Sequence, residues 1–227
     1  MLVAVVASAT PALIPTPRTV EWTADSFDAS RFTITGPVEA GFAIAELEQI
    51  LMASGGRTND GFGKLDLQLG ETGSQSPESY SIVVAATSVT VTACQPVGLV
   101  YGVQTLSQLV ATQDGRPVIA GCRITDEPAF AWRGFMHDVG RNFQDLTLLK
   151  RFVDVMARYK MNVFHFHLTD NPAWRIECRV HPELNSPTNT PATRSPGKFY
   201  TYAELNDFIA YARERGVRVV PELDMPG

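Results

Sequence analysis

The sequence predicts two folds in tandem, a small α+β domain over residues 12–128 and an α/β unit over 129–227. Three observations carry this. In the first part, five stretches read as strands, by alternation or β-branched runs, and only two have the period of a helix. After Asp126-Glu127-Pro128, strand and helix patterns alternate strictly. In the second part, ionisable residues gather where each strand ends, the edge at which α/β folds carry out chemistry.

Along the first part, Arg31–Gly36 alternates as a strand, and Ala40–Ser54 places apolar residues at 44, 47, 50 and 51, a helical spacing that Gly55-Gly56 stops. Lys64–Leu69 alternates again. Tyr80–Ala85 and Val89–Ala93 are β-branched runs close enough for a hairpin. Gly98–Val110, with apolar positions 99, 103, 106, 109 and 110, is a second helix, and Val118–Ile124 returns to strand. Mostly antiparallel neighbours are expected. Gly98 and Gly102 read as close helix–sheet packing, because no strand and glycine-rich loop of a phosphate cradle precedes them.

In the second part, Gly134–Val139 is a strand and Leu146–Tyr159 an amphipathic helix that Asp145 can cap. Asn162–Leu168 is a strand, followed by a polar loop over 185–197. Thr201 and Glu204 form a capping box for a helix with an apolar stripe at 205, 208, 209 and 212. Gly216 ends that helix, and Val217–Leu223 is the next strand. This β-α-β-α-β order is the grammar of parallel crossovers. A (β/α)8 barrel needs roughly 250 residues. About a hundred follow residue 128, and three strands cannot close a barrel, so a truncated chain is expected.

Composition narrows the function classes. At 44% hydrophobic and 19% charged, wholesale disorder is excluded. A net charge of −5 without a basic stripe argues against nucleic-acid binding, and no apolar run has membrane-spanning length. Cys94, Cys122 and Cys178 lie far apart and read as small buried hydrophobes. The apolar stretch from Leu2 to small residues near Thr10 resembles the tail of an export signal, which points to a secreted or periplasmic protein.

The strand ends offer His137, Asp138 and Arg141, then His165, His167 and Asp170, then Glu222 and Asp224. Burying such groups is costly unless they pair or work. Arg141 has a fork of donors suited to several hydroxyls, or it is a salt-bridge partner. Asp170 is either functional or the cap of an Asx turn in Thr169-Asp170-Asn171-Pro172. Glu222 and Asp224 share a strand face and either hold a barrel rim together or orient a catalytic group. His165 and His167 share a face as well. They are read as hydrogen-bonded polar filling of a barrel, the alternative being the ligand pair of a metal-dependent barrel hydrolase. Trp132 and Trp174 either stack on a sugar or pack. Arg175 and Glu177 are spaced for an ion pair that holds the loop.

Four ordered motifs then resemble glycoside hydrolase family 20, the β-N-acetylhexosaminidases. They are Trp132-Arg-Gly-Phe-Met-His-Asp-Val-Gly-Arg141, Tyr159-Lys-Met-Asn-Val-Phe-His-Phe-His-Leu-Thr-Asp170, Trp174-Arg-Ile-Glu177 and Val219-Val-Pro-Glu-Leu-Asp-Met-Pro-Gly227. Leu13-Ile-Pro-Thr-Pro17 and the run from Tyr80 to Leu109 resemble the family's small α+β domain.

The resemblance implies that residues 129–227 are the first three strands of a catalytic TIM barrel. It also implies retaining release of terminal N-acetylglucosamine or N-acetylgalactosamine from glycans or glycoconjugates, with no cofactor and no metal. The substrate's acetamide is the nucleophile, and an Asp-Glu pair at the end of a fourth strand, downstream of this chain, supplies the acid. Arg141 matches the arginine that holds two sugar hydroxyls, while Asp170 and Asp224 match acids that support the network. Two positions depart from the pattern: Asn171 stands where a second acid is common, and Met136-His137 where an aliphatic residue is usual. A non-catalytic glycan-binding fragment is the remaining alternative.

Overall fold

The structure, a computed structural model, describes residues 11–58 and 63–225. The apolar stretch up to Thr10 read as an export signal lies outside the described residues, as do Pro226 and Gly227. The chain divides into two compact units between Pro128 and Ala129.

The first unit contains strands β1 (Thr19–Asp28), β2 (Arg31–Thr35), β3 (Arg57–Thr58), β4 (Gly63–Leu69), β5 (Tyr80–Val84), β6 (Ser88–Ala93), β7 (Val110–Gln113) and β8 (Arg116–Asp126). Helix α1 spans Gly41–Ala53 and α2 spans Pro96–Leu109. The sheet runs β1-β8-β5-β6-β4-β2-β3, with β7 also paired to β8. The expected antiparallel pattern holds on only one side. β8 is antiparallel to β1, β5 and β7, and β5 to β6, but β4 is parallel to both β6 and β2. The crossover through α1 returns the chain in the direction it left, which makes β2 and β4 parallel.

Two further differences are local. The second helix stops at Leu109 and Val110 opens β7. β1 lacks a clean alternation because it is exposed along nearly its whole length and its register slips between Trp22 and Ser26. Of the cysteines, Cys122 alone is buried, whereas Cys94 and Cys178 are half-buried, and all three are free. Cys94 lies against the hydroxyls of Ser79 and Thr72 at 3.2 and 3.3 Å, a polar setting unlike that of a hydrophobe.

Leu47 and Leu51 of α1 and Leu99, Val103 and Leu106 of α2 share one core with Leu65, Ile82 and Val91. α2 approaches the sheet so closely that a Cβ on Gly98 would meet the Ser79 carbonyl oxygen at 2.5 Å, and one on Gly102 would meet Val91 Cγ1 at 2.6 Å. Alanine normally favours a helix interior over glycine by about 1 kcal/mol. Here overpacking, typically about 1–3 kcal/mol, should win. Gly98→Ala is therefore expected to lower the urea midpoint of this unit, and an unchanged or raised midpoint would contradict the packing reading.

The second unit holds β9 (Gly134–Asp138), α3 (Leu146–Arg158), β10 (Val163–Asp170), β11 (Ala173–Trp174), α4 (Tyr202–Glu214) and β12 (Arg218–Leu223). β10 is central, parallel to β9 on one side and β12 on the other, and β11 folds back on its end. The Asp145 carboxylate accepts from Leu148 N–H, and Thr201 and Glu204 form a reciprocal capping box. Gly216, at φ 72°, turns the chain out of α4. Phe164 and Phe166 point into the layer formed with Phe208 and Tyr200, so His165 and His167 necessarily face the other side of the sheet.

The polar loop after β11 contains single helical turns at Pro182–Asn185, Pro187–Asn189 and Ala192–Arg194. The expected Arg175–Glu177 pair does not form. Arg175, only 1% exposed, donates to the carbonyls of Val139 (3.0 Å), Ser195 (2.9 Å), Lys198 (2.9 Å) and Arg194 (2.5 Å). Glu177 instead takes Arg179 at 2.8 Å and Tyr202 N–H at 2.8 Å. Residues two apart on an extended segment share a face, but the loop folds over Arg175 and its carbonyls replace the carboxylate. A planar fork serves both ends of this clamp, and an ammonium does not. Arg175→Lys is expected to destabilise the second unit by about 3 kcal/mol, each charge-assisted bond contributing about 1.5–3 kcal/mol. Unfolding at the parental urea concentration would contradict this.

Candidate functional site

The carboxyl ends of β9, β10 and β12 form the site. β9 ends in Asp138, and Gly140 lets the following turn close on β10, since a Cβ there would lie 3.2 Å from Asp170 N. Asp138 Oδ1 accepts from Arg141 N–H at 3.1 Å, bringing the Arg141 side chain back over the sheet end. There its guanidinium bridges two carboxylates, Asp138 at 2.8 Å and Asp170 at 2.6 Å. Nearly half of this side chain is exposed, so donors remain open to solvent. The bond to Asp138, with the charges of Asp138, Asp170 and Asp224, holds its pKa above the ordinary arginine value.

The Asx turn considered for Asp170 does not form, because residue 172 is proline and has no N–H to donate. Asp170 Oδ1 accepts instead from the adjacent Asn171 N–H at 2.7 Å, while Oδ2 takes Arg141 and also His167 Nε2 at 2.9 Å. The bond from His167, then the Asn171 amide and the Arg141 charge, keep the Asp170 carboxyl below the usual carboxylate range. On the other side of the His167 ring, Nδ1 lies 2.7 Å from Glu222 Oε2, the same oxygen that meets His165 Nε2 at 2.6 Å. Burial pulls the His167 pKa down, but the bonds to Glu222 and Asp170 outweigh it, and the net shift is upward. Glu222 is held low, chiefly by its bond to His167.

Not every residue at the strand ends joins this cluster. His137 alternates to the face opposite Asp138, where its ring lies 5.0 Å from Phe152 and its buried Nε2 has no hydrogen-bond partner. Trp132 lies under the Arg218 guanidinium at 5.1 Å, by the amino ends of β9 and β12 and away from the site. Trp174 continues β11, with its carbonyl held by Asn185 at 3.2 Å.

Ligand atoms of His167, Asp170 and Asp224 come within 4.8 Å of one another. Both His167 nitrogens are already spent on carboxylates, and the Arg141 charge sits on Asp170. A divalent ion would have to displace a guanidinium there, so the donor set opposes a metal. The chain's Asp126-Glu127 dipeptide lies in the first unit. Asp126 accepts from the Tyr80 hydroxyl at 2.6 Å, and Glu127 faces Arg18 at 4.0 Å, so both serve structure. The sequence reading paired Arg141 with either hydroxyls or acids but missed the bridge to Asp170 and the His167–Glu222 contact. Only the parallel register, which sets His167 beside Glu222, could reveal that contact.

Comparisons with known proteins agree across the chain. The model of the glycosyl hydrolase family 20 catalytic domain matches residues 130–227, and that of the family's domain 2 matches residues 10–127. A β-N-acetylhexosaminidase of Cellulomonas fimi is 39% identical over 163 residues, covering 71% of this chain and 33% of its own length. A family 20 β-N-acetylhexosaminidase structure from Streptomyces coelicolor superposes with a TM-score of 0.85 at 34% identity, covering 96% of this chain and 48% of that one. A Vibrio harveyi exo-β-N-acetylglucosaminidase in complex with N-acetylglucosamine gives 0.82 at 29% identity, covering 97% and 38%. The chain thus spans a third or less of the first three curated relatives it matches. Since the two family models lie end to end over the two structural units, the chain belongs to glycosyl hydrolase family 20.

Proposed function

We propose that this chain is part of an exo-β-N-acetylhexosaminidase that releases terminal N-acetylglucosamine or N-acetylgalactosamine with retention. In this reading residues 12–128 form the α+β domain that precedes the barrel. Residues 129–227 supply the first three of eight β/α units. The observation that carries the reading is the Arg141 guanidinium, braced by Asp138 and Asp170 at the strand ends and open to solvent on its remaining edge. Two adjacent sugar hydroxyls fit that edge, and the carboxylates behind it fix its angle. Asp170 and Asp224 are assigned supporting roles around it. Export is proposed on the apolar stretch near the N-terminus, and glycans or glycoconjugates are the proposed partners.

Bond cleavage in this scheme needs attack by the substrate acetamide, an ionised Asp to orient it and a neutral Glu to protonate the leaving oxygen. None of the described carboxylates forms such a pair at the end of β9, β10 or β12. The 227 residues by themselves are therefore expected to show no turnover of a chromogenic β-N-acetylglucosaminide, whereas a protein of the relatives' length carrying them hydrolyses it. General acid catalysis alone contributes about 10²–10⁴-fold. Turnover at enzymatic rates by the short chain would contradict the assignment.

In the longer protein, Arg141→Lys keeps the charge but loses the fork. Two charge-assisted bonds to the sugar go with it, and kcat/KM is expected to fall by about 10²-fold at unchanged thermal stability. A folded variant within a few-fold of its parent would return Arg141 to a salt-bridge role.

A further inference from the structure

The Arg141 anchor is fastened through Asp170 to His167 and Glu222. Asp170 Oδ2 takes two donors, Arg141 at 2.6 Å and His167 at 2.9 Å. His167, with a side chain only 6% exposed, is in turn gripped at Nδ1 by Glu222 from the neighbouring strand. Two carboxylates on opposite edges of one imidazole leave a single rotamer and favour a proton on each nitrogen. Arg141 Nη1 also lies 3.3 Å from His167 Nε2, too long to compete with the 2.9 Å bond to Asp170. The order Glu222, His167, Asp170, Arg141 is thus a continuous chain of alternating charge from β12 across β10 to the turn after β9.

We propose that His167 and Glu222 are positioning residues which, through the shared oxygen of Asp170, set the angle at which Arg141 presents its donors to the terminal sugar. The proposal rests on the hexosaminidase reading of the site and adds two residues to it.

The charge of His167 is the working part. Its surroundings are Glu222 from β12, Asp170 on its own strand, Arg141 and Asp138 from the β9 turn, Asp224 beyond β12, and His165 through the shared Glu222 oxygen. Net, these raise its pKa against the effect of burial. For a raised imidazole pKa, the clamp is present at low pH and is lost as pH rises through the folded value. Glu222→Gln keeps the shape of the side chain but removes one of the two stabilising charges. The loss of the clamp should then occur at lower pH.

The test uses the protein of the relatives' length with 15N-labelled histidine, the His167 signals being assigned by their disappearance in His167→Asn. In the parent, both His167 nitrogens should remain protonated to higher pH than those of free histidine in the same buffer, and Glu222→Gln should bring the titration down. With a chromogenic β-N-acetylglucosaminide, Glu222→Gln should lower kcat/KM about tenfold and move the alkaline limb of its pH profile to lower pH. In an Arg141→Lys background the same substitution should cost at most about twofold, because residues acting through one another are not additive. Multiplying effects of the two substitutions, or a melting shift with an unmoved pH profile, would overturn the positioning role. An unshifted His167 titration in Glu222→Gln would overturn the clamp whatever the activity. A parent inactive on every β-N-acetylhexosaminide would instead overturn the functional reading on which the role depends.

Discussion

The burial of β10 on both faces is the constraint from which the second unit follows. Six of its eight residues are buried and the other two, His165 and Asp170, are half-buried, and from Phe164 to His167 the strand alternates between phenylalanine and histidine. Phe164 and Phe166 meet Phe208 and Tyr200 on the helix side. His165 and His167 must then enter the opposite face, where an unpaired polar group would be costly. Flanking β12 answers with Glu222, and the turn after β9 answers with Arg141 through Asp170. Satisfying the buried His167 on that face therefore assembles the charged cluster at the strand ends.

The second fixed point is Arg175. Its guanidinium ties the carbonyl of Val139, two residues before Arg141, to three carbonyls of the loop over 194–198. Burial depresses its pKa, and carbonyl oxygens take the place of a carboxylate. Arg194 of the same loop also reaches Asn142 at 2.9 Å, next to Arg141. The residues that support the site thus approach from two directions, the sheet interior and the loop. In the first unit the comparable constraint is steric, since α2 lies against β5 and β6 only because Gly98 and Gly102 carry no Cβ.

Periodicity made most elements legible. The helices at 41–53, 146–158 and 202–214 and the hairpin at 80–93 follow from spacing, caps and β-branched runs, each a local property. β1 escaped because its long exposed course imposes no alternation, and the mixed direction of the first sheet escaped because direction depends on crossovers. The Arg175–Glu177 pairing failed for a similar reason. Spacing places two side chains on one face, but the fold of a distant loop chooses the partner.

At the site, the sequence by itself determined which residue types stand at the strand ends. Arg141, Asp170, Glu222 and Asp224 are positioned by strand length and turn chemistry, and their motifs carry the family resemblance. It also determined that His165 and His167 share a face, since the period of a strand is two. Only the tertiary structure decided which of them touch. His137 left the cluster and Asp138 joined it because adjacent strand residues point to opposite faces, and the orientation of β9 chooses between them. The pairing of His167 with Glu222 across 55 residues of chain depends on the parallel register of β10 and β12, a long-range contact that no local pattern encodes.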